Sequence, residues 1–500
     1  MINKVYELFR TLNSIPRASH HEEKVADFLC QYAEDLGLEY DRDEENCVVI
    51  RKPATPGHED AEPVVLLNHM DMVAVGDPSL REPQGTPLAP EHLLERKKLS
   101  SGQTRPFDPL RDGIEAYVED GWMKARGTSL GADNGIGLSM ALAVLADPNV
   151  VHGPLEVLTT TNEEDGMTGA AAMRTDFIKG RKVINLDSED YDTITVGAAG
   201  AYLQVAKLPI AKSDVPDVDR FYKIQILGGL GGHSGVDINK GRINANQEMC
   251  HTLRAMLETS CPMLYLADID GGAANASIPG SCTAIVGVPE AEEEALMKIA
   301  ELRTRLLKKM YPEEPNLTMT IEKVEHKGGV IASTAEILRL IDHLPCGVIA
   351  LHDSLPDTPM TSNNIGRVFI EDGYLYVSCH TRSFDDDEMV EWAKICTRDF
   401  EGVGADVEVV MNTPGWQENQ QSEYLQMVDE TFRDVLGFSP RKVAMHFVLE
   451  AGYYVQKFPG IEIACIGPRI VEPHSTKERV ELSTVENICR VLVELLKRLA

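Results

Sequence analysis

Apolar residues in the first 200 positions alternate between short continuous runs and stretches with helical spacing. The runs cover residues 64–67, 155–161 and 183–186, and small and apolar residues recur at helical spacing over 135–146. Continuous apolar runs are typical of strands that are buried on both faces, and their alternation with helices indicates a mostly parallel sheet. The N-terminal part is therefore predicted to be an α/β domain with α helices on both faces of the sheet.

The pattern changes after about residue 201 and returns near residue 413. The middle region combines a predicted strand over 221–227, a helix over 244–257 and a hairpin with an Asp-Gly turn near residue 372. A chain of 500 residues also exceeds the roughly 250–300 residues at which a single core stops growing. We therefore predict an α/β domain over 1–205 and 413–500, interrupted by an inserted α+β domain over 206–412.

Two local signals add detail. The segment Ser19-His20-His21-Glu22 matches a capping box that opens a helix to about Gly37. The stretch from Asp77 to Asp112 is polar and rich in proline, which predicts a long excursion on the surface.

Charge and hydropathy exclude some partners. The chain has 48 Lys and Arg against 79 Asp and Glu, a net charge of −31, whereas nucleic-acid binding needs clustered basic residues. The N-terminus has no signal-peptide core, and no apolar run approaches the roughly 20 residues that span a bilayer. The ten cysteines form no C-x-x-C pair and are interpreted as reduced thiols. We expect a cytoplasmic protein that binds neither nucleic acid nor a membrane.

Residues that could hold metal ions or move protons follow the ends of the predicted strands and helix-flanking loops. Taken singly, each has an ordinary explanation: a surface loop, a helix N-cap, a solvated acidic turn or an exposed histidine. In open α/β sheets, however, ligands bind at the carboxyl ends of the strands, so we expect these residues to meet at one edge. They are His69, Asp71, Asp133, Glu163, Glu164, Asp187 and His474.

Together these residues suit a pair of cations. Adjacent carboxylates at the end of a buried strand repel each other unless positive charge compensates them. Imidazole and carboxylate ligands without cysteine favour zinc, manganese or cobalt, and two such ions roughly 3.5–4 Å apart can share and activate a water molecule. The expected cofactors are two divalent metal ions per subunit. Zinc is the first choice, and manganese and cobalt are the alternatives.

The order and wording of these motifs resemble a known family. His-x-Asp, Gly-Ala-Asp-Asn-Gly, Glu-Glu, Asp and a C-terminal His-Ser follow each other as in the co-catalytic zinc peptidases that include aminoacylases and glutamate carboxypeptidases. The segments LNHMDMV, LGADNGIG, TTNEEDGMTGA, NLDSED and GGHSGVDINKGRINAN are similar to those of the aminoacyl-histidine dipeptidases. The resemblance spans nearly the whole chain. It implies a metal-dependent dipeptidase that cleaves dipeptides of the Xaa-His type, such as β-alanyl-histidine.

The same resemblance implies a set of metal ligands. His69 and Asp187 would bind one metal ion, Glu164 and His474 would bind the other, and Asp133 would bridge the two.

It also implies roles in the chemistry. Asp71 would orient the first imidazole, and Glu163 would be the general base that takes a proton from water and passes it to the leaving amine. The inserted domain would be a lid that also joins two subunits in a homodimer. In that lid, His233 would donate to the developing oxyanion, and Asn275 and Arg382 would hold the substrate, Arg382 through the free carboxylate of the peptide.

Two alternatives remain open for these lid residues. The glycine-rich segment 228–235 could be a phosphate-binding loop, although it lacks the Walker lysine and the dinucleotide spacing. Arg382 could equally belong to a surface salt bridge.

The chain departs from the dipeptidase pattern near its C-terminus. Two positions that are small in that pattern are Phe447 and Val448 here, and Thr476 stands where the pattern has proline. A preference for C-terminal histidine is therefore in question. An aminoacylase, carboxypeptidase or tripeptidase is the alternative on the same scaffold, and a non-catalytic metal-dependent binding protein is a remote one.

Overall fold

The computed structural model describes residues 1–76, 107–417, 419 and 421–500, so the predicted surface excursion lies outside the described residues up to position 106. The chain forms two compact units: residues 1–196, 418–443 and 453–500 make the first, and residues 197–417 and 444–452 make the second. The boundaries predicted at 206 and 413 fall inside the strand Gly200–Pro209 and at the last residue of the strand Asp406–Thr413. The division into catalytic and lid domains stays a prediction.

The first unit contains an eight-stranded sheet with a parallel centre. In spatial order its strands are Glu39–Arg42, Val48–Lys52, Leu155–Thr160, Val64–His69, Lys182–Asn185, Glu462–Cys465, Thr193–Ala198 and Arg441–Met445. The four strands from Leu155–Thr160 to Glu462–Cys465 pair in parallel, and the strands that flank this group pair with it in antiparallel fashion. The mostly parallel character predicted from the apolar runs is confirmed.

Helices cover this sheet. Those that lie wholly or mainly in the first unit are Ile2–Ser14, Glu23–Asp35, Ala132–Ala146, Thr168–Ala172, Glu423–Leu436, Ala451–Lys457 and Leu482–Arg498. All six residues of Val64–His69 are buried, and Val64 and Leu66 share one core cluster with the helices. Because side chains alternate across a strand, Val65 must be covered on the opposite face. A small sheet completes the unit, with strands Ile470–Val471, Arg479–Glu481, Trp122–Ala125 and Ala116–Glu119.

The predicted capping box at the second helix is wrong. The helix begins at Glu23, and the N-cap residue Glu22 makes no side-chain capping hydrogen bond. Ser19 Oγ instead donates to Asp71 Oδ2 at 2.8 Å, and Glu22 Oε1 accepts from the Asn162 backbone N–H at 2.9 Å. Partners distant in sequence occupy the side chains that the local pattern assigned to the start of the helix.

The second unit is α+β, as predicted. Its nine-stranded sheet runs in spatial order through Thr318–Val324, Arg220–Leu227, Cys282–Val288, Tyr265–Gly271, Pro359–Glu371, Tyr374–Ser383, Gly200–Pro209 and Asp406–Thr413, with Gly347–Leu351 also paired to Pro359–Glu371. Two short pairs, Gly232–His233 with Ser277–Ile278 and Lys212–Ser213 with Val330–Ile331, lie outside it.

The helices of the second unit and this sheet share a core of their own. They are Ala245–Thr259, Glu293–Met310 with a preceding 3₁₀ turn at Glu290–Glu292, Thr334–His343 and Asp386–Gly402. The predicted hairpin is present, with Glu371 opposite Tyr374 and Asp372-Gly373 in the turn. Of the described helices, none combines the length and the apolar character that crossing a bilayer requires.

Candidate active site

The parallel strands of the first unit bring the predicted metal ligands to one edge of the sheet. His69 ends one strand, Glu164 and Asp187 follow its two neighbours, and His474 lies in the segment after the fourth parallel strand. Residues on the neighbouring strands align in parallel register, with His69 opposite Thr160. Since parallel strands end at the same side, side chains separated by hundreds of residues meet there.

Asp133 lies between the two imidazoles. Its Oδ1 is 3.2 Å from His69 Nε2, and its Oδ2 is 3.1 Å from His474 Nε2. His69 Nε2 is also 3.3 Å from Asp187 Oδ1, and His474 Nε2 is 2.8 Å from Glu164 Oε1. The structure thus brings together all five residues that the sequence predicted as ligands, with Asp133 facing both halves of the cluster.

Close packing of a helix places Asp133 in this position. Asp133 stands at the start of the helix Ala132–Ala146, where the backbone has not yet reached helical angles. A Cβ atom at Gly137 would lie 2.2 Å from the carbonyl oxygen of Leu186. Only glycine at this position lets the helix approach the strand end that leads into Asp187.

Asp71 organises the surroundings of the cluster. It is fully buried, and its Oδ1 lies 3.3 Å from His69 Nδ1. Its two carboxylate oxygens also accept the backbone N–H groups of Glu163 at 3.1 Å and Glu164 at 3.2 Å. One side chain therefore orients the first imidazole and holds the turn that carries Glu163 and Glu164.

The protonation of the cluster follows from its burial and mutual contacts. Burial alone would favour a neutral ring, but the carboxylates of Asp187 and Asp133 raise the pKa of His69 well above its ordinary value. Hydrogen bonds with Asp133 and Glu164 raise the pKa of His474 to about 11. Although burial disfavours its charge, the two imidazoles hold the pKa of Asp133 well below its usual range. Burial raises the pKa of both Glu164 and Asp187.

The donor set fits divalent cations. One nitrogen or oxygen atom from each of His69, Asp133 and Glu164 lies within 4.8 Å of the others. The set consists of imidazole and carboxylate groups without thiolate, which suits zinc, manganese or cobalt. The carboxylates that raise the pKa values of both histidines make this site strongly negative, and bound cations would compensate that charge.

A second group of predicted residues meets within the second unit. The backbone N–H groups of Gly235 and Val236 both donate to His233 Nδ1, each at 3.1 Å. Because Nδ1 is an acceptor, the neutral ring carries its proton on Nε2. Burial and the nearby Arg382 lower the pKa of His233, so the ring is neutral at pH 7 and presents an Nε2–H donor.

Arg382 is buried rather than on the surface. It is 3 % exposed, and its guanidinium donates from Nε and Nη2 to Ser234 Oγ, at 3.3 and 3.2 Å. In the described part of the chain no carboxylate lies within ion-pair distance of it, and burial lowers its pKa to about 10. The backbone of Asn275 lies close to the imidazole of His380, two residues before Arg382. The surface salt bridge considered from sequence is therefore excluded for these residues.

The departure from the dipeptidase pattern adjoins this group. The ring of Phe447 meets the ring of His233 edge-on, with centroids 6.2 Å apart. The neighbouring His446 is buried, and its Nε2 lies 2.8 Å from Ser362 Oγ. Four buried or half-buried side chains that hold the loops of the metal cluster were missed from sequence. No motif marks Arg17 or Glu478, and the local pattern assigned Ser19 and Glu22 to a capping box instead.

The fold and the strand-end cluster define the class of peptidases that work with metal ions. Residues 102–498 match the profile of the Peptidase family M20/M25/M40, and the chain belongs to this family. The family, the fold class and the enzyme class predicted from sequence are thereby confirmed: the protein is a hydrolase of peptide bonds.

Similar proteins span the whole chain. The cytosol non-specific dipeptidase of Escherichia coli (strain K12) is 34 % identical over 99 % of this chain and 97 % of its own length. The crystal structure of aminoacylhistidine dipeptidase from Vibrio alginolyticus has a TM-score of 0.88 at 30 % identity, covering 99 % of this chain and 96 % of that one. A tripeptidase from Staphylococcus aureus, at 15 % identity and a TM-score of 0.55 over 100 % and 98 % of the chains, shares the fold alone.

Proposed function

We propose that this protein is a dipeptidase that uses two divalent metal ions. Zinc is the first choice for these ions, and manganese and cobalt are the alternatives. The observation that carries the proposal is Asp133, whose two carboxylate oxygens face His69 and His474 from between them. The full-length similarity to two proteins named as dipeptidases supports a dipeptide as the substrate.

The proposed ligands divide into two sets that share one residue. His69 and Asp187 would hold one ion, Glu164 and His474 would hold the other, and Asp133 would be shared between them. Divalent cations bound there would supply Lewis-acid chemistry and would help to activate water for attack.

Glu163 is the proposed general base. It adjoins Glu164 in one turn, and its backbone is held by the buried Asp71. A base next to a ligand is within hydrogen-bond reach of the attacking water, accepts its proton and delivers it to the leaving amine. Asp71 acts on the position of His69 and of this turn rather than on the substrate.

The second unit is proposed as the lid, and it supplies the contacts to the substrate. His233 donates from Nε2–H to the scissile carbonyl oxygen as negative charge develops there. Arg382, buried without a carboxylate partner among the described residues, binds the free carboxylate of the dipeptide, and Asn275 holds the substrate beside it. A terminal carboxylate held beside the scissile bond favours removal of a C-terminal residue over cleavage inside a chain, and the similarity to proteins named as dipeptidases favours a dipeptide as the substrate.

Histidine is proposed not to be required as the C-terminal residue of the dipeptide. Phe447 lies against His233, where the dipeptidase pattern has a small residue. We therefore expect β-alanyl-histidine to be one substrate among several rather than a required one. We also propose a homodimer that forms through the lid, because that unit carries exposed apolar side chains on one helix. The similarity to a cytosol non-specific dipeptidase supports a cytoplasmic location.

The test is hydrolysis of a panel by the purified protein. The panel contains β-alanyl-histidine, other dipeptides, a tripeptide and an N-acetylated amino acid, each measured after chelation and after zinc, manganese or cobalt is restored. Metal-dependent cleavage of the dipeptides alone is expected. Cleavage of the acetylated amino acid in preference would replace the proposal with an aminoacylase, and metal binding without any turnover would replace it with a binding protein.

A further inference from the structure

A buried carboxylate outside the ligand set closes the start of the helix that carries Asp133. Glu478 is 3 % exposed, and its Oε2 accepts the backbone N–H groups of Leu130 at 2.7 Å and Gly131 at 2.9 Å. Its Oε1 accepts those of Ala132 at 2.8 Å and Asp133 at 3.4 Å. Four successive amides are thus satisfied by one side chain that lies about 345 positions away in sequence.

Glu478 belongs to the segment that carries His474. Its backbone N–H donates to the Ser475 carbonyl at 3.2 Å, which closes a turn between the two residues. Glu472 and His474 both have positive φ angles, 54° and 56°, which are unfavourable for residues with a Cβ and persist only where the surroundings hold them. The four amide contacts of Glu478 supply such an anchor.

A buried arginine, opposite in charge to Glu478, donates hydrogen bonds to the neighbouring loops. Arg17 is 1 % exposed and donates to three carbonyl oxygens: those of Met70 at 3.1 Å, Asp71 at 2.9 Å and Gly131 at 2.5 Å. The first two lie directly after His69, and the third lies directly before the helix of Asp133. Arg17 therefore connects the loop of one predicted ligand to the loop of the next.

We propose that Glu478 and Arg17 are positioning residues that couple the two halves of the metal cluster through its bridging carboxylate. Glu478 ties the segment of His474 to the backbone of Asp133, and Arg17 ties the loop after His69 to the same backbone. Neither side chain binds a metal ion or the substrate. They hold Asp133 at the distance from both imidazoles that lets one carboxylate serve two ions.

Glu478→Gln is the informative substitution. A glutamine keeps the shape but has only one acceptor oxygen, so its NH₂ group faces two of the four amide donors. The matched control is Glu156→Gln, because Glu156 is also 3 % exposed and accepts two backbone amides in the first unit, from Lys179 and Gly180, at 2.8 and 2.9 Å. Both substitutions remove one charge and weaken a buried amide cradle, but only the first lies at the cluster.

The measurement is metal affinity by competition with a chromophoric chelator, together with the visible spectrum of the cobalt-loaded protein. Glu478→Gln is expected to lose about 10–100-fold in affinity and to change the spectrum, and Glu156→Gln is expected to change neither. Excess metal should restore part of the turnover of Glu478→Gln. Wild-type affinity and spectrum in Glu478→Gln would overturn the proposal.

A second variant covers the case in which Glu478→Gln does not fold. Arg17→Lys keeps the charge, but lysine lacks the planar guanidinium that donates to all three carbonyl oxygens. Like Glu478→Gln, it is therefore expected to lower metal affinity. Unchanged affinity there would overturn the coupling. The inference rests on the proposed function, but the two fail differently: a wild-type protein without metal binding or dipeptide hydrolysis refutes the function, whereas an active wild type with unaffected variants refutes only the positioning role.

Discussion

At the residue scale, neighbouring carboxylates in this protein have different environments and therefore different roles. Asp71 is fully buried and accepts hydrogen bonds from backbone amides and from Ser19, so it is suited to holding other groups in place. Glu164 contacts His474 directly and is suited to binding a cation. Glu163, half-buried in the same turn, is the carboxylate proposed for proton transfer.

Removing the base without removing its shape should separate chemistry from metal binding. In Glu163→Gln we expect both metal ions to remain and turnover to fall by about 10²–10⁴-fold, because the amide cannot accept the proton of water. Metal content by elemental analysis and single-turnover rates on a dipeptide provide the measurement. Asp165→Asn, an exposed position in the same turn, is the control that should keep its rate. Near-full activity of Glu163→Gln would assign the base elsewhere.

Arg382, buried in the second unit, is expected to bind the C-terminal carboxylate of the peptide. In Arg382→Gln we expect the KM for a dipeptide to rise by about 10–100-fold, in line with the 1.5–3 kcal/mol of hydrogen bonds to a charged group. A dipeptide with a C-terminal amide should lose far less, since it lacks the carboxylate. Arg367→Gln, an arginine on the neighbouring strand that pairs with Asp270, is the control. Equal losses on both substrates would argue for a structural role of Arg382.

At the element scale, two paired strands and a short segment of the second unit place the basic side chains of Arg382 and His446 near each other. Ser362 stands opposite Arg382 in the hairpin formed by Pro359–Glu371 and Tyr374–Ser383, and His446 reaches Ser362 from the segment 444–452. Burial, reinforced by the charge of Arg382, lowers the pKa of His446 to about 3. The imidazole is therefore neutral in the folded protein across the physiological range.

This shift makes the stability of the unit depend on pH. In the unfolded chain the histidine titrates near 6.5, so between pH 6.5 and 3 the unfolded state binds a proton that the native state does not. The free energy of unfolding must then decrease as pH falls, by about 2 kcal/mol between pH 7.5 and 5. His446→Gln removes this contribution. We expect the difference in denaturant midpoint between pH 7.5 and 5 to be smaller in the variant than in the wild type; an identical difference would contradict the shift.

At the scale of the whole molecule, the two units have separate cores, and one helix of the second unit carries a row of exposed apolar side chains. The helix Glu293–Met310 of the second unit exposes Leu302, Leu306 and Met310 to 47 %, 36 % and 52 %. Their spacing of four residues places them along one face of the helix. A row of exposed apolar side chains is a feature of association surfaces, and it supports the proposed homodimer.

Charges on that face should separate the subunits. For Leu302→Glu/Leu306→Glu we expect a monomer where the wild type is a dimer, because two carboxylates cannot be buried against an apolar partner, and glutamate preserves helix propensity. Light scattering after size-exclusion chromatography gives the mass. Leu110→Glu, at an exposed apolar side chain of the first unit, should stay dimeric. A dimeric double variant, or a monomeric wild type, would place the interface elsewhere or remove it.

The capacity to bind metal ions could be predicted from sequence because it depends on residue type and strand order. Apolar runs indicated which segments become buried strands, and the ends of parallel strands lie at one edge of a sheet whatever the rest of the chain does. His69, Glu164 and Asp187 each stand at or just after such an end, so their meeting followed from the pattern alone. The motif order then indicated the family.

What only the tertiary structure decided are contacts between positions far apart that no local pattern encodes. The segment Ser19 to Glu22 matched a capping box, yet its side chains bind Asp71 and Asn162, because contacts made on folding compete with the local hydrogen bonds of a helix start. Glu478 follows His474 without any signal, and its role appears only when the chain returns to the amides before Asp133. Sequence alone predicted which groups are candidates to hold cations and to move protons. Folding determined which buried charges keep them at the required distances, since that depends on packing across hundreds of residues.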